Sequence, residues 1–134
     1  MKIEYKTTRY IRKADLKELF LSVEWGSGKY PDLLCEAMKR YDIVISAWDG
    51  QKLVGLTCVM SDGFLNAYVQ YVLVNPAYQG RGIGRNLMEM VKHACRNLKT
   101  LTLVAYEDAR GFYEKCGMSV YPGTTVLHIS SLPD

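Results

Sequence analysis

Apolar residues along the chain follow two different periods, and the switch between them outlines the elements. Ile3 and Tyr5 alternate with charged neighbours, which predicts a short strand over residues 2–6. Leu16, Leu19, Phe20 and Val23 then recur at helical spacing. Asp15 with Glu18 three residues on reads as a capping box, so a first helix is expected over 15–24, ended by Gly26-Ser27-Gly28. Pro31 suits the first turn of a second helix, whose apolar stripe is Leu34, Ala37, Met38 and Tyr41.

Strand-like runs follow. Residues 43–48 and 52–60 flank Asp49-Gly50, a strong hairpin signal because both turn positions must tolerate positive φ. A turn at Ser61-Asp62-Gly63 leads to a third strand, about 65–74, completing an antiparallel meander. Ile83, Leu87, Met90, Val91, Ala94 and Leu98 share one face of a helix, and 100–105 is again a strand. A strand–helix–strand crossover is right-handed, so 100–105 should run parallel to 65–74. A short helix over 108–116 and two short strands, 118–121 and 126–129 around Pro122-Gly123, finish the pattern. The expected fold is α/β: one mixed sheet of about six to seven strands with helices on both faces.

At 134 residues the chain fits a single domain spanning 1–134. Half of it is apolar (49%), enough for a core without disulfide or metal. The net charge of +3 is small and evenly spread, which argues against a nucleic-acid partner. Cys35, Cys58, Cys95 and Cys116 stand singly, as do His93 and His128. No zinc-type pairing exists, so no metal is expected. There is no apolar signal core and no run of membrane-spanning length. A soluble cytoplasmic protein with no membrane partner is the expectation.

The chemistry concentrates between Tyr68 and Arg85. A strand delivers the chain to Asn75-Pro76-Ala77-Tyr78, and Gln79-Gly80-Arg81-Gly82-Ile83-Gly84 opens a helix. Glycines there allow backbone to approach a ligand, and the first helical N–H groups lie unpaired at the positive end of the dipole. With Arg81 and Arg85 they suit a phosphate or diphosphate. The alternative is a glycine-rich turn that binds nothing. A P-loop is excluded because no Gly-Lys-Ser/Thr occurs. A dinucleotide fold is disfavoured by the G-x-G-x-G spacing and the short remaining chain.

Gln79, Gly82 and Gly84 fill the three fixed positions of Q/R-x-x-G-x-G/A, so the segment resembles the acyl-CoA signature of the GNAT N-acetyltransferase superfamily. Phe112-Tyr113-Glu114-Lys115-Cys116-Gly117-Met118 resembles that family's second marker, F-Y-x-K-x-G-F, with Met118 in place of the last Phe. The resemblance implies an acyl-CoA-dependent N-acyltransferase with acetyl-CoA as cosubstrate. It implies that Gln79, Gly80, Arg81, Gly82, Ile83, Gly84 and Arg85 hold the diphosphate, and that Val72, Leu73 and Val74 flank the pantetheine arm where two parallel strands splay.

Tyr113 is, on the same resemblance, the general acid for the leaving thiolate; read alone it is a packing tyrosine. Tyr71 stands where relatives often carry a carboxylate. Glu24 is therefore the next candidate base, or a site that attracts a cationic amine, against a plain solvated carboxylate at a helix end. Trp25, Tyr30 and Tyr71 are candidates for an aromatic amine pocket, against ordinary packing. The expected reaction is direct attack of a small-molecule primary amine on acetyl-CoA in a ternary complex. The other readings are a protein lysine or N-terminal acetyltransferase and a non-catalytic acyl-CoA-binding module. A homodimer is compatible with the resemblance.

Overall fold

A computed structural model of the protein describes residues 2–132. Its strands are β1 (Ile3–Lys6), β2 (Ile43–Asp49), β3 (Lys52–Ser61), β4 (Asn66–Val74) and β5 (Thr100–Leu103). Its helices are α1 (Lys13–Ser22), α2 (Pro31–Met38), α3 (Ile83–Ala94) and α4 (Arg110–Lys115). The five strands form one mixed sheet in chain order: β1 to β4 are antiparallel neighbours and β5 is parallel to β4. The meander, the crossover and its direction agree with the sequence pattern.

The sheet has helices on both faces. Leu16, Leu19 and Phe20 of α1 and Leu34 and Met38 of α2 pack with Val44, Leu56 and Leu73 on one side. Ile83, Leu87 and Val91 of α3 pack with Ile45, Val59 and Val69 on the other. Gly55 of β3 lets α3 lie close, since a Cβ there would stand 3.1 Å from Ile83 Cγ2 and 3.3 Å from Ala47 Cβ. That contact fixes the start of α3 against the sheet.

Three sequence expectations are corrected. Asp15 does not cap α1: the helix starts at Lys13, and Asp15 accepts hydrogen bonds from the Arg12 guanidinium within the first turn. Glu18 pairs with Lys52 instead of closing a capping box. The sheet has five strands, fewer than the six to seven expected, because 118–121 and 126–129 join no ladder among the described residues. The turn chemistry explains this. Pro122 locks φ near −65°, and Gly123 follows at φ 76°, the pattern of a type II turn, whose twist splays flanking strands where a hairpin needs a primed turn.

Candidate active site

β4 pairs with β5 only through Asn66–Val69, opposite Thr100–Leu103. On its other edge, the register with β3 steps from Val59↔Val69 to Cys58↔Tyr71, leaving Gln70 as a bulge. A bulge bends and twists its strand. From Gln70 to Val74 the edge of β4 that faced β5 carries no ladder, since β5 ends at Leu103 opposite Val69.

The end of β4 is held firmly. The Asn75 amide donates to the Val54 carbonyl at 2.8 Å, and Asn75 Oδ1 accepts from the Ala77 amide at 2.9 Å, starting a 3-10 turn over Pro76–Tyr78. Gln79 Nε2 donates to the Val74 carbonyl at 3.1 Å, folding the next segment back against the strand end. Gly80 and Gly82 then take φ of 79° and 80°, where a side chain is strained. A Cβ at either would meet nothing within 4 Å, so both face open space.

Gly82 is the N-cap of α3, and no side chain caps that end. Its first N–H groups therefore keep the capacity to bind an anion beside the free edge of β4. Arg81 stacks its guanidinium 5.2 Å from the centre of the Tyr78 ring. Tyr78 is in turn anchored by donating its hydroxyl to Asp49 at 2.6 Å. Arg85 lies exposed one turn into the helix.

Gly84 differs from the other two glycines. A Cβ on it would stand 3.2 Å from Phe112 Cζ and 3.7 Å from Val74 Cγ2. The end of β4, the start of α3 and α4 thus converge on this residue. Phe112 is 36% exposed and stacks edge-on against Tyr113 at 5.0 Å, so it buttresses the site and is not a core residue. Gly117, at φ 92°, ends α4 in a Schellman motif: its amide donates to the Glu114 carbonyl and the Met118 amide to that of Tyr113. Lys92 Nζ donates to the Cys116 carbonyl at 2.8 Å, tying α4 to α3.

Tyr113 lines a cavity of about 870 Å³ between β5, α4 and residues 118–126. Burial pushes its phenol up to about 12, so it is protonated throughout the neutral range.

A second cluster lies on the face covered by α1 and α2. Tyr71 is surrounded by Phe20 (4.9 Å, edge-on), Trp25 (6.0 Å) and Tyr41 (6.5 Å). Its hydroxyl lies 3.3 Å from Ser27 Oγ, and burial raises its pKa more than that hydrogen bond lowers it. The structure thus joins Trp25 and Tyr71. Tyr30 is exposed, with no ring contact to the pair among the described residues. Ser27, Phe20 and Tyr41 were missed in the sequence because helical and strand periods mark them only as apolar or turn positions.

Glu24 is exposed and, among the described residues, its carboxylate makes no hydrogen bond or ion pair. Its backbone is unusual: φ is 60°, the one positive value outside glycine among the described residues. It occupies the left-handed position of a second Schellman motif, where its amide donates to Leu21 and that of Trp25 to Phe20.

The comparisons with known proteins agree with this geometry. Residues 10–118 match the profile of the Acetyltransferase (GNAT) family. The chain belongs to that family. It is therefore an acyl-CoA-dependent N-acyltransferase, and its family uses acetyl-CoA. An uncharacterised N-acetyltransferase, ycf52, of Pyropia yezoensis is 31% identical over 127 residues, covering 87% of this chain and 72% of that one. A histone acetyltransferase of Glycine max, TAP1, is 34% identical over 74 residues, covering 54% of this chain and 32% of that one. A solved GNAT-family acetyltransferase of Streptococcus pneumoniae superposes with a TM-score of 0.83 at 27% identity, covering 97% of this chain and 99% of that one. Among the described residues no cluster of His, Cys, Asp or Glu suits a metal ion, and no helix is long and apolar enough to cross a membrane.

Proposed function

We propose that this GNAT enzyme acetylates the primary amine of a small molecule by direct attack within a ternary complex. The observation that carries this reading is the open edge of β4 leading directly to an uncapped, glycine-flanked helix N-terminus. The diphosphate of acetyl-CoA suits the amides between Gly80 and Arg85, with Arg81 and Arg85 beside them. The pantetheine amides suit the edge of Val72–Val74 that faces away from β3, where no strand pairs with it.

The amine nitrogen attacks the thioester carbonyl, the C–N bond forms, and the C–S bond breaks as the tetrahedral intermediate collapses. The proton lost by the amine ends on the CoA sulfur. A free thiol has a pKa of ~8.5, well below the raised phenol of Tyr113. Tyr113 therefore acts by donating a hydrogen bond to the developing thiolate and relaying a proton, not by ending as a phenolate.

The aromatic group of Trp25 and Tyr71 suits an amine with an apolar or aryl body. Glu24, with an unpaired carboxylate beside Trp25, suits attraction of the incoming ammonium. The similarity to a protein named as a histone acetyltransferase supports a second reading, a protein substrate. A thiol-release assay with polyamines, aryl-alkyl amines, amino acids, aminoglycosides and lysine peptides separates the readings. Turnover of free amines above peptides is expected. Peptide preference favours the second reading, and acetyl-CoA binding without thiol release with any acceptor favours a binding module.

A further inference from the structure

The cavity of about 870 Å³ beside Tyr113 is larger than transfer of an acetyl group requires. An acetyl group has three heavy atoms, and at roughly 30 Å³ for each water-sized group it fills about 90 Å³. A cavity of several hundred Å³ with apolar walls is the kind that encloses a ligand. The walls here are largely apolar: Leu101 and Leu103 of β5, Met118, and Val120 and Val126 of the segment after α4. Val120 is 55% exposed and Val126 59%, so protein does not cover this surface. Hydrocarbon that did so would be drawn out of water.

Two elements tie the cavity to the reaction. Tyr113, the hydrogen-bond donor to the leaving sulfur in the proposed step, lines it. So do Val104 and Ala105, which follow β5 directly after its last pair with β4, Leu103 opposite Val69. The cavity thus adjoins the strand end at which the free edge of β4 begins. Charge decides which group suits it. The charged side chains on its lining are Glu107, Arg110 and Glu114, and Arg110 pairs with Glu107 at 3.6 Å and with Glu114 at 3.4 Å. Both carboxylates already face a guanidinium, so an ammonium finds little there. The Thr124 hydroxyl is spent on the Tyr121 carbonyl. A neutral hydrocarbon chain is the better match.

We propose that the enzyme uses thioesters with acyl chains longer than acetyl, of the hexanoyl to octanoyl class, and that the tail lies in this cavity against Leu101, Leu103, Val120 and Val126. The inference rests on the proposed acylation of an amine, with coenzyme A held by β4 and α3. The step keeps its balance. The amine nitrogen bonds to the carbonyl carbon, the C–S bond breaks, and the proton lost by the amine ends on the sulfur. Only the substituent on the carbonyl carbon is longer. The tail is bound equally before and during the reaction, so it lowers KM and leaves kcat nearly constant. Each buried methylene strengthens binding roughly threefold to fourfold, which makes a gain on the order of 10²-fold from acetyl to hexanoyl.

The test follows leucine and valine methyl resonances of the full chain by NMR during titration with acetyl-CoA and with octanoyl-CoA, with no acceptor present. Thiol release with both donors is then measured at a fixed amine concentration. Octanoyl-CoA should move the methyls of Leu101, Leu103, Val120 and Val126, acetyl-CoA should leave them in place, and KM should be at least 10²-fold lower for octanoyl-CoA. Val120→Trp fills the cavity from an exposed position outside the reacting groups. It should keep turnover of acetyl-CoA and raise the octanoyl-CoA KM at least tenfold; Val126→Trp repeats the test from a second position. Equal KM for the two thioesters, octanoyl-induced shifts confined to other methyls, or tryptophan variants that treat both donors as the wild type does would overturn the inference. Turnover of acetyl-CoA with rejection of octanoyl-CoA sinks it while leaving the acetyl-transfer reading intact. If neither thioester binds, both fall.

Discussion

Gly84 and Phe112 meet across the junction of α3 and α4, with only 3.2 Å between Phe112 Cζ and the point a Cβ on Gly84 would occupy. The contact joins the glycine turn at the start of α3 to the helix that carries Tyr113. It gives a physical reason for the two sequence motifs to occur together. The second glycine of the first motif accommodates the first aromatic of the second, and the neighbouring Tyr113 is positioned by the same ring.

Gly84→Val should therefore disturb turnover through Phe112. A fall in kcat with a smaller change in acetyl-CoA affinity is expected. Adding Phe112→Ala should recover part of the loss, with a coupling on the order of 1 kcal/mol in a double-mutant cycle. Strict additivity in that cycle would show that the two residues do not act on each other.

Tyr113→Phe should lower kcat by on the order of 10²-fold while acetyl-CoA binding is retained. The phenol must be protonated to donate, and burial raises it to about 12. Wild-type kcat should therefore rise with pH as the amine deprotonates, then hold, without a falling limb until the alkaline range near 12. A falling limb near pH 8 to 9, surviving in Tyr113→Phe, would assign the acid to another group.

Burial also raises Tyr71 and Tyr41 above their ordinary value. The sign follows from linkage. Unfolded tyrosines lose protons near pH 10, whereas the folded ones hold theirs longer. The stability they contribute is fully present below pH 10 and is lost as pH rises through the folded values. Thermal melts should show a falling Tm above pH 10, and Tyr71→Phe should reduce its slope.

Glu24→Gly tests whether that backbone is retained for function. α4 ends its Schellman motif on Gly117, whereas α1 ends the same motif on Glu24. A non-glycine residue in the left-handed region costs roughly 1–2 kcal/mol, so the glycine variant should melt higher. If the carboxylate attracts the amine, kcat/KM for cationic acceptors should fall in the same variant, and more at low salt. A more stable variant with unchanged kcat/KM would leave Glu24 a plain helix-end residue.

Much of this was legible in the sequence because local chemistry decided it. Gly50 turned its hairpin, although the second turn residue is Gln51 and Asp49 stays in β2 at an ordinary φ; Pro31 began its helix, and Gln79 to Gly84 announced the glycine turn into α3. What escaped depends on contacts distant along the chain. Arg12 captured Asp15 and moved the start of α1, a competition no spacing rule records. Ser27 and Tyr41 reach Tyr71 only through the packing of α1 and α2 on β4. The strands expected at 118–121 and 126–129 were placed by their position around Pro122-Gly123, but that pair carries the wrong turn for a hairpin. A further part played by Gly84 escaped for a similar reason: its missing Cβ leaves room for Phe112, whereas Gly80 and Gly82 face open space.

The central claim is that coenzyme A lies with its diphosphate on the start of α3 and its pantetheine along the free edge of β4. Backbone amide chemical shifts followed by NMR during a titration with coenzyme A test it most directly. The account predicts saturable shifts that are largest from Gly80 to Arg85 and from Val72 to Val74, and that vanish in Gly82→Val. Saturation with those amides unmoved, and the shifts clustered elsewhere on the molecule, would contradict it.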